Sequence, residues 1–200
     1  MAQLIIAISR EYGSGGHEIA TKVAEHFNLP MYDRNMLDAW AEKNGLEAEE
    51  LHKHDETKKR GLTRTVRGFS SSVADHVADL QFDFIKEKAE EGESFIIVGR
   101  CAEHILKGYP GLVTIFVRGD RPTKIERIKE LYKLNEVEAK IKIDRHDKKR
   151  KAYHNAHCDM KWGDSRAYDM CINSSKLGID KTVEAICDFI DEFKSVIETA

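Results

Sequence analysis

Apolar residues in this chain fall into short continuous runs separated by helical stretches with one apolar face. The runs are Leu4–Ile8, Phe95–Val98, Leu112–Val117 and Asp169–Asn173, with a shorter candidate at Pro30-Met31-Tyr32. Runs of this length fit strands covered on both faces. The stretches between them repeat at helical spacing: Ile19, Ala20, Val23, Ala24 and Phe27, then Val73, Val77, Leu80, Phe84 and Ile85, then Ile125, Ile128 and Leu131. The last stripe is Val183, Ile186, Ile190, Phe193 and Ile197. Strands alternating with helices predict an α/β fold built on an open parallel sheet.

Helix starts are readable as well. Asp33 can cap a helix over Met36, Leu37 and Trp40, and Ser70-Ser71-Ser72 can cap the next. Asp120 before Pro122, and Asp180 before the last stripe, are two more candidates. Asn135 with Glu138 makes a capping-box pair. Two segments are more polar: Glu47 to Gly68, and Lys140 to Asp164 with its run Asp144-Arg145-His146-Asp147-Lys148-Lys149-Arg150-Lys151. Such runs are usually solvated helix faces.

The most informative stretch is Ile8-Ser9-Arg10-Glu11-Tyr12-Gly13-Ser14-Gly15-Gly16-His17-Glu18-Ile19, which joins the first strand to the first helix. A strand, a glycine-rich turn and a helix N-terminus together bring backbone N–H groups and partial positive charge to one anion. Tyr12, Gly13, Ser14, Gly15, Gly16 and His17 are therefore the candidate phosphate-binding loop. The frame departs from G-x-x-x-x-G-K-[ST]: Arg10 stands at the first glycine, Gly16 at the lysine and His17 at the hydroxyl residue. A turn of this kind can also be no more than a tight turn. Ligands of open parallel sheets bind at the carboxyl ends of the strands, where Arg10, Asp33, Arg100, Arg118 and Asn173 fall.

At 200 residues, 41% hydrophobic and 34% charged, the chain is expected to be one domain with a substantial core. No run has the apolar length of a spanning helix, so no membrane partner is expected. A net charge of −3 argues against general nucleic-acid binding. Cys101, Cys158, Cys171 and Cys187 form no C-x-x-C pair, and Met1 leads straight into a strand, so a cytoplasmic location without disulfides is expected. His154, His157 and Cys158 have metal-like helical spacing but no obvious fourth ligand, so no metal site is assigned. The same holds for His52-Lys53-His54-Asp55. Trp40 and Trp162 read as packing residues.

On the loop, on Gly99-Arg100 after the second clear strand, and on the basic run before the last strand, the chain resembles the cytidylate kinase-like family. The resemblance covers Leu4 to about Ile190. It implies a P-loop kinase-like three-layer fold with a five-stranded parallel sheet flanked by helices. Within the single domain it implies an acceptor-binding helical region at 33–92 and a helical lid at 140–164. It also implies that Arg100 binds the acceptor's phosphate. Cys101 replaces the aspartate of the family's Gly-Arg-Asp motif, which removes a usual contact to the acceptor nucleoside. Asp147-Lys148-Lys149-Arg150 matches an Asp-x-x-Arg of the lid, whose arginine contacts phosphates, and Arg145 lies nearby. Cys171-Ile172-Asn173-Ser174-Ser175 matches the segment near the base of ATP.

The expected activity is ATP-dependent phosphoryl transfer to a small phosphorylated acceptor, most simply a nucleoside monophosphate such as CMP. Another small metabolite as acceptor, and a non-catalytic nucleotide-binding regulatory module, remain open alternatives. Arg10 is expected to replace the lysine, with Arg145 and Arg150 around the transferred group and Asp33 beside Arg100 on the acceptor side; Asp147 and Lys149 belong to the lid. A structural ion pair of Arg10 with Glu11, Asp33 or Glu18 is the competing reading. Magnesium is expected with ATP, with Glu18 and Asp33 the carboxylates placed to meet it. The oligomeric state is not readable.

Overall fold

The computed structural model describes residues 3–36 and 73–199. Five strands form one sheet: β1 (Ile5–Arg10), β2 (Met31–Tyr32), β3 (Phe95–Val98), β4 (Leu112–Arg118) and β5 (Met170–Asn173). All pairings are parallel and the order is β2-β3-β1-β4-β5. Every strand foreseen from the apolar runs is present. The helices are α1 (Gly16–Phe27), α2 (Val73–Glu90), α3 (Ala102–Ile105), α4 (Arg121–Tyr132), α5 (Glu136–His157) and α6 (Ser174–Thr199).

The alternation of side chains along each strand explains the three layers. Leu4, Ile6 and Ile8, with Ile96, Val98, Val113, Ile115 and Val117, meet Ile19 and Val23 of α1 and Ile186 and Ile190 of α6 on one face. Ile5, Ala7, Phe95 and Ile97 meet Phe84, Ile85 and Ala89 of α2, and Ala102 of α3, on the other. Register is tight: Ile5 lies level with Phe95 on one side and Leu112 on the other. A one-residue slip would turn both faces inside out. A separate small core of Ile125, Ile128, Ala139 and Ile143 joins α4 to α5. Among the described residues no helix is long and apolar enough to cross a membrane.

Two helix starts differ from expectation. Asp120 sits at the N-cap of α4 but makes no capping bond. Its carboxylate accepts from Asn173 Nδ2 at 2.8 Å and pairs with Lys176 at 2.8 Å, so it ties β5 to α4 instead. The last helix begins at Ser174 and kinks at Gly178, where φ is 75°, so Asp180 lies just past a kink and pairs with Lys22 of α1. The Asn135–Glu138 capping box is present in both directions, at 2.9 Å each. The helix foreseen after Asp33 begins as expected, with Asp33 Oδ1 accepting from Met36 N at 3.1 Å. Leu37, Trp40, the Ser70–Ser72 cap, Glu47–Gly68 and His52–Asp55 lie outside the described residues, as does most of the 33–92 region.

Candidate active site

β1 is the central strand, with β3 on one side and β4 on the other, so its carboxyl end opens on the crevice where the chain reverses direction across the sheet. The loop after it runs Glu11-Tyr12-Gly13-Ser14-Gly15 into α1. Gly15 is the N-cap with φ 78°, and Gly16 is the first helical residue. A Cβ on Gly15 would displace the tip of Ile179 of α6, and the positive φ favours glycine there. Ser14 Oγ donates to Glu11 O at 2.8 Å and accepts from Gly16 N at 3.3 Å. Ser174 Oγ, at the end of β5, donates to Ser14 O at 2.6 Å. The loop is thus fixed from inside and from the last strand, while the first-turn amides of α1 have no intrahelical acceptor.

Arg10 turns across the loop toward β3. Its stem lies on Gly16, and a Cβ on Gly99 would overlap its Nη1. Two glycines therefore make the channel that this side chain occupies. Burial, with Arg150 and Arg100 nearby, pushes its pKa down to about 9, and Asp33 opposes them. Nε is buried without a hydrogen-bond partner among the described residues. The competing ion-pair reading fails for two of its three partners. Glu11 is taken by Lys124 and by Gly119 N, each through Oε2, and Glu18 by Arg127 and Lys22. Asp33 is close enough to act on Arg10 electrostatically, and its Oδ2 lies 3.9 Å from His17 Nε2. Arg10, with Arg100 and Arg150 close enough to act on it, forms a cationic locus suited to a multiply charged anion.

The basic run is one continuous helix, α5, packed on the loop. Tyr12 N donates to Asp147 Oδ1 at 2.6 Å, and Arg150 Nη1 donates to Arg10 O at 3.0 Å. The Tyr12 ring stacks on His146 at 4.1 Å with 7° between planes, and the Arg150 guanidinium lies 5.5 Å from the same ring. Burial, reinforced by Arg150, Lys142, Arg145 and Lys149, holds the His146 imidazole down at about 4. Arg150 is itself pushed down by burial and held up by Asp147 and Tyr12. Arg145 is exposed, and Lys149 is half-buried; both act on His146, but neither is among the charges that move Arg10.

Lys124 was not legible in the sequence. It comes from α4, is 6% exposed, and binds Glu11 Oε2 at 3.1 Å and Asp147 Oδ2 at 2.9 Å. Asp147 thus joins loop, α4 and α5. Only its place in the Asp-x-x-Arg motif marked it.

On the other side of the crevice, β3 ends in three left-handed residues, Gly99, Arg100 and Cys101, with φ of 81°, 59° and 58°. This bend turns Arg100 over Tyr153 of α5, 5.4 Å from its ring. On the β4–β5 side a cleft of about 400 Å³ is lined by Glu11, Arg118, Lys151, Trp162 and Cys171 among others. Trp162 meets Phe116 edge-on at 5.5 Å, the packing role expected of it.

Comparison with known proteins places this geometry. A curated relative named cytidylate kinase, from Pyrococcus horikoshii, is 27% identical over 194 residues, covering 94% of this chain and 91% of its own. The crystal structure of an uncharacterized protein from Eubacterium ventriosum is 40% identical, with a TM-score of 0.77 and coverage of 94% of this chain and 99% of its own. Shikimate kinase from Bacteroides thetaiotaomicron shares the fold at 15% identity and a TM-score of 0.56, covering 95% of this chain and 99% of its own. The model of the cytidylate kinase-like family matches residues 5–176, from the first residue of β1 into the start of α6, and the chain belongs to that family.

Proposed function

We propose that the protein is an ATP-dependent phosphotransferase whose acceptor is a small phosphorylated molecule, most simply a nucleoside monophosphate such as CMP. The observation that carries this reading is the gathering of Arg10, Arg100 and Arg150 at the carboxyl ends of β1 and β3, beside a glycine loop and a helix N-terminus. The name of the Pyrococcus relative supports the acceptor class.

Phosphoryl transfer asks the protein mainly for positioning and charge neutralisation. The loop amides and the first turn of α1 bind the donor's phosphates. Arg10 reaches from the loop into the crevice and takes the place of the lysine. Arg100 fixes the acceptor's phosphate from β3, and Arg150 approaches from α5. Arg145 and Lys149 supply charge from the outer face of that helix, and His17 a donor at the start of α1. Magnesium would add positive charge on the donor phosphates, held mainly by those phosphates and water. Asp33 suits it better than Glu18, which is engaged by Arg127 and Lys22.

A second reading is a nucleotide-binding regulatory module without turnover. It is favoured by Gly16 and His17 standing where lysine and a hydroxyl residue are usual. ADP production from MgATP, measured with CMP, dCMP, UMP, AMP, GMP and no acceptor, separates the two. Turnover that requires one monophosphate is the expected result. Absence of turnover, with a rise in melting temperature on adding a triphosphate, selects the second reading.

A further inference from the structure

Behind Arg100 lies a buried group of side chains that the phosphoryl-transfer reading leaves unused. His154 Nε2 and Glu103 Oε1 are 2.5 Å apart, and their side chains are 5% and 3% exposed. Cys158 joins them: one ligand-type atom from each of Glu103, His154 and Cys158 lies within 4.8 Å of the others. Cys101, 2% exposed, is close enough to Cys158 for the two thiols to interact, though it stands outside that group of three. We propose that Cys101, Glu103, His154 and Cys158 form a binding site for a thiophilic divalent cation of the zinc class.

The chain delivers these residues in two pairs. Cys101 and Glu103 flank the bend that ends β3 and starts α3. His154 and Cys158 are four apart at the end of α5, where Cys158 N donates to His154 O at 2.9 Å, so both side chains leave the helix on one side. The sequence spacing had suggested His157 as the companion of His154. Instead the His157 ring packs against Tyr153 and Phe82, at 4.7 and 5.5 Å, and Glu103 takes its place.

Three features favour a cation over a purely internal hydrogen-bond network. Two thiols, an imidazole and a carboxylate are the donor types that tetrahedral zinc accepts. His154 Nδ1 is buried without a hydrogen-bond partner among the described residues, with the Cys158 thiol close enough to interact with the ring. Glu103 is held from behind by Ser9 Oγ at 3.3 Å and Tyr168 Oη at 3.5 Å, the kind of outer support that orients a ligating carboxylate. Tetrahedral zinc spaces its ligand atoms by roughly 3.3–3.8 Å. To reach that spacing the Glu103–His154 contact must open, and Cys101, which lies outside the group of three, must move in toward it. A bound cation would fasten the end of α5 to the bend that carries Arg100.

The test uses the full chain, purified reduced and without chelator, with zinc(II) and cobalt(II) as probes. Stoichiometric zinc should survive gel filtration, and the cobalt form should show a thiolate-to-cobalt charge-transfer band with tetrahedral visible bands. Cys158→Ser and Cys101→Ser should each weaken that band, and the double variant should lose it, while all keep the wild-type far-ultraviolet circular dichroism. Glu103→Gln should weaken zinc binding roughly 10–100-fold, and Cys187→Ser should leave it unchanged. Wild-type protein that retains no zinc and gives no charge-transfer band overturns the proposal. So does zinc binding that is indifferent to Cys158→Ser. Neither readout needs turnover, so this proposal and the kinase reading can fail separately.

Discussion

Arg150 on α5 donates from Nη1 to the main-chain carbonyl of Arg10, at 3.0 Å, where β1 becomes the glycine loop. One cation of α5 thereby fixes the backbone from which another is projected. Arg150→Lys keeps the charge but loses the planar fork that can hold a carbonyl and a phosphate together. Steady-state assays should show kcat falling by about 10²-fold or more for Arg150→Ala, with only slight recovery in Arg150→Lys. Equal rates for lysine and arginine would show that charge alone suffices.

Arg10→Ala separates function from stability. The side chain is crowded by Arg100 and Arg150, and its buried Nε is unpaired among the described residues. Its removal relieves repulsion and a desolvated charge. Turnover should drop by about 10²–10³-fold, while the melting temperature should hold or rise. A large fall in melting temperature would mean that Arg10 is chiefly structural.

Lys124→Met should act in the opposite sense. The methionine fits the space but leaves Glu11 and Asp147 facing each other without their shared cation. Lys124 is buried but both carboxylates keep some contact with water, so losing these charged hydrogen bonds costs about 1–3 kcal/mol. Urea unfolding should show that loss, and Lys124→Met combined with Asp147→Asn should recover part of it.

His146 gives a pH signature. Its folded pKa of about 4 lies below the ordinary 6.5, so below pH 6.5 the unfolded chain takes up the proton more readily. Its share of stability is present above 6.5 and drains away as pH falls toward 4. The melting temperature of His146→Asn should depend less steeply on pH across that window than that of the parent chain. Parallel curves would show that His146 does not carry the dependence.

Gly99→Ala tests the channel occupied by Arg10. The φ of 81° strains any side chain, and the new methyl meets Arg10 Nη1. Acceptor-dependent turnover should fall well below that of Gly92→Ala, a glycine with a similar φ of 78° and open space around it, which controls for backbone strain. Equal losses would locate the effect in strain rather than in Arg10.

Local pattern was enough for the sheet, because five short apolar runs bounded by turns leave little choice of strand. The glycine loop and the Asn135–Glu138 box were equally readable, being local chemistry at fixed spacing. What pattern could not deliver were pairings across distance. Lys124 looks like any lysine on a surface helix until α5 packs beside it. Asp120 and Asp180 look like caps because their neighbours are right, yet Lys176 and Lys22 compete for them from elsewhere in the fold. Glu103 sits about fifty residues from His154, and no periodicity links them. The role of Arg10 was posed by the sequence as a missing lysine. The direction of its side chain depended on Gly16 and Gly99 both lacking a Cβ.

The Tyr12 ring, held between His146 and Arg150, makes the loop and α5 a single mechanical part. Neither can swing out without unstacking it and breaking the Tyr12–Asp147 and Arg150–Arg10 bonds together. Amide protons at the start of the loop should therefore exchange with solvent in step with those in the middle of α5, on one common timescale. The pace at which the crevice empties after each event would then be set by this joint opening rather than by motion of the glycines alone.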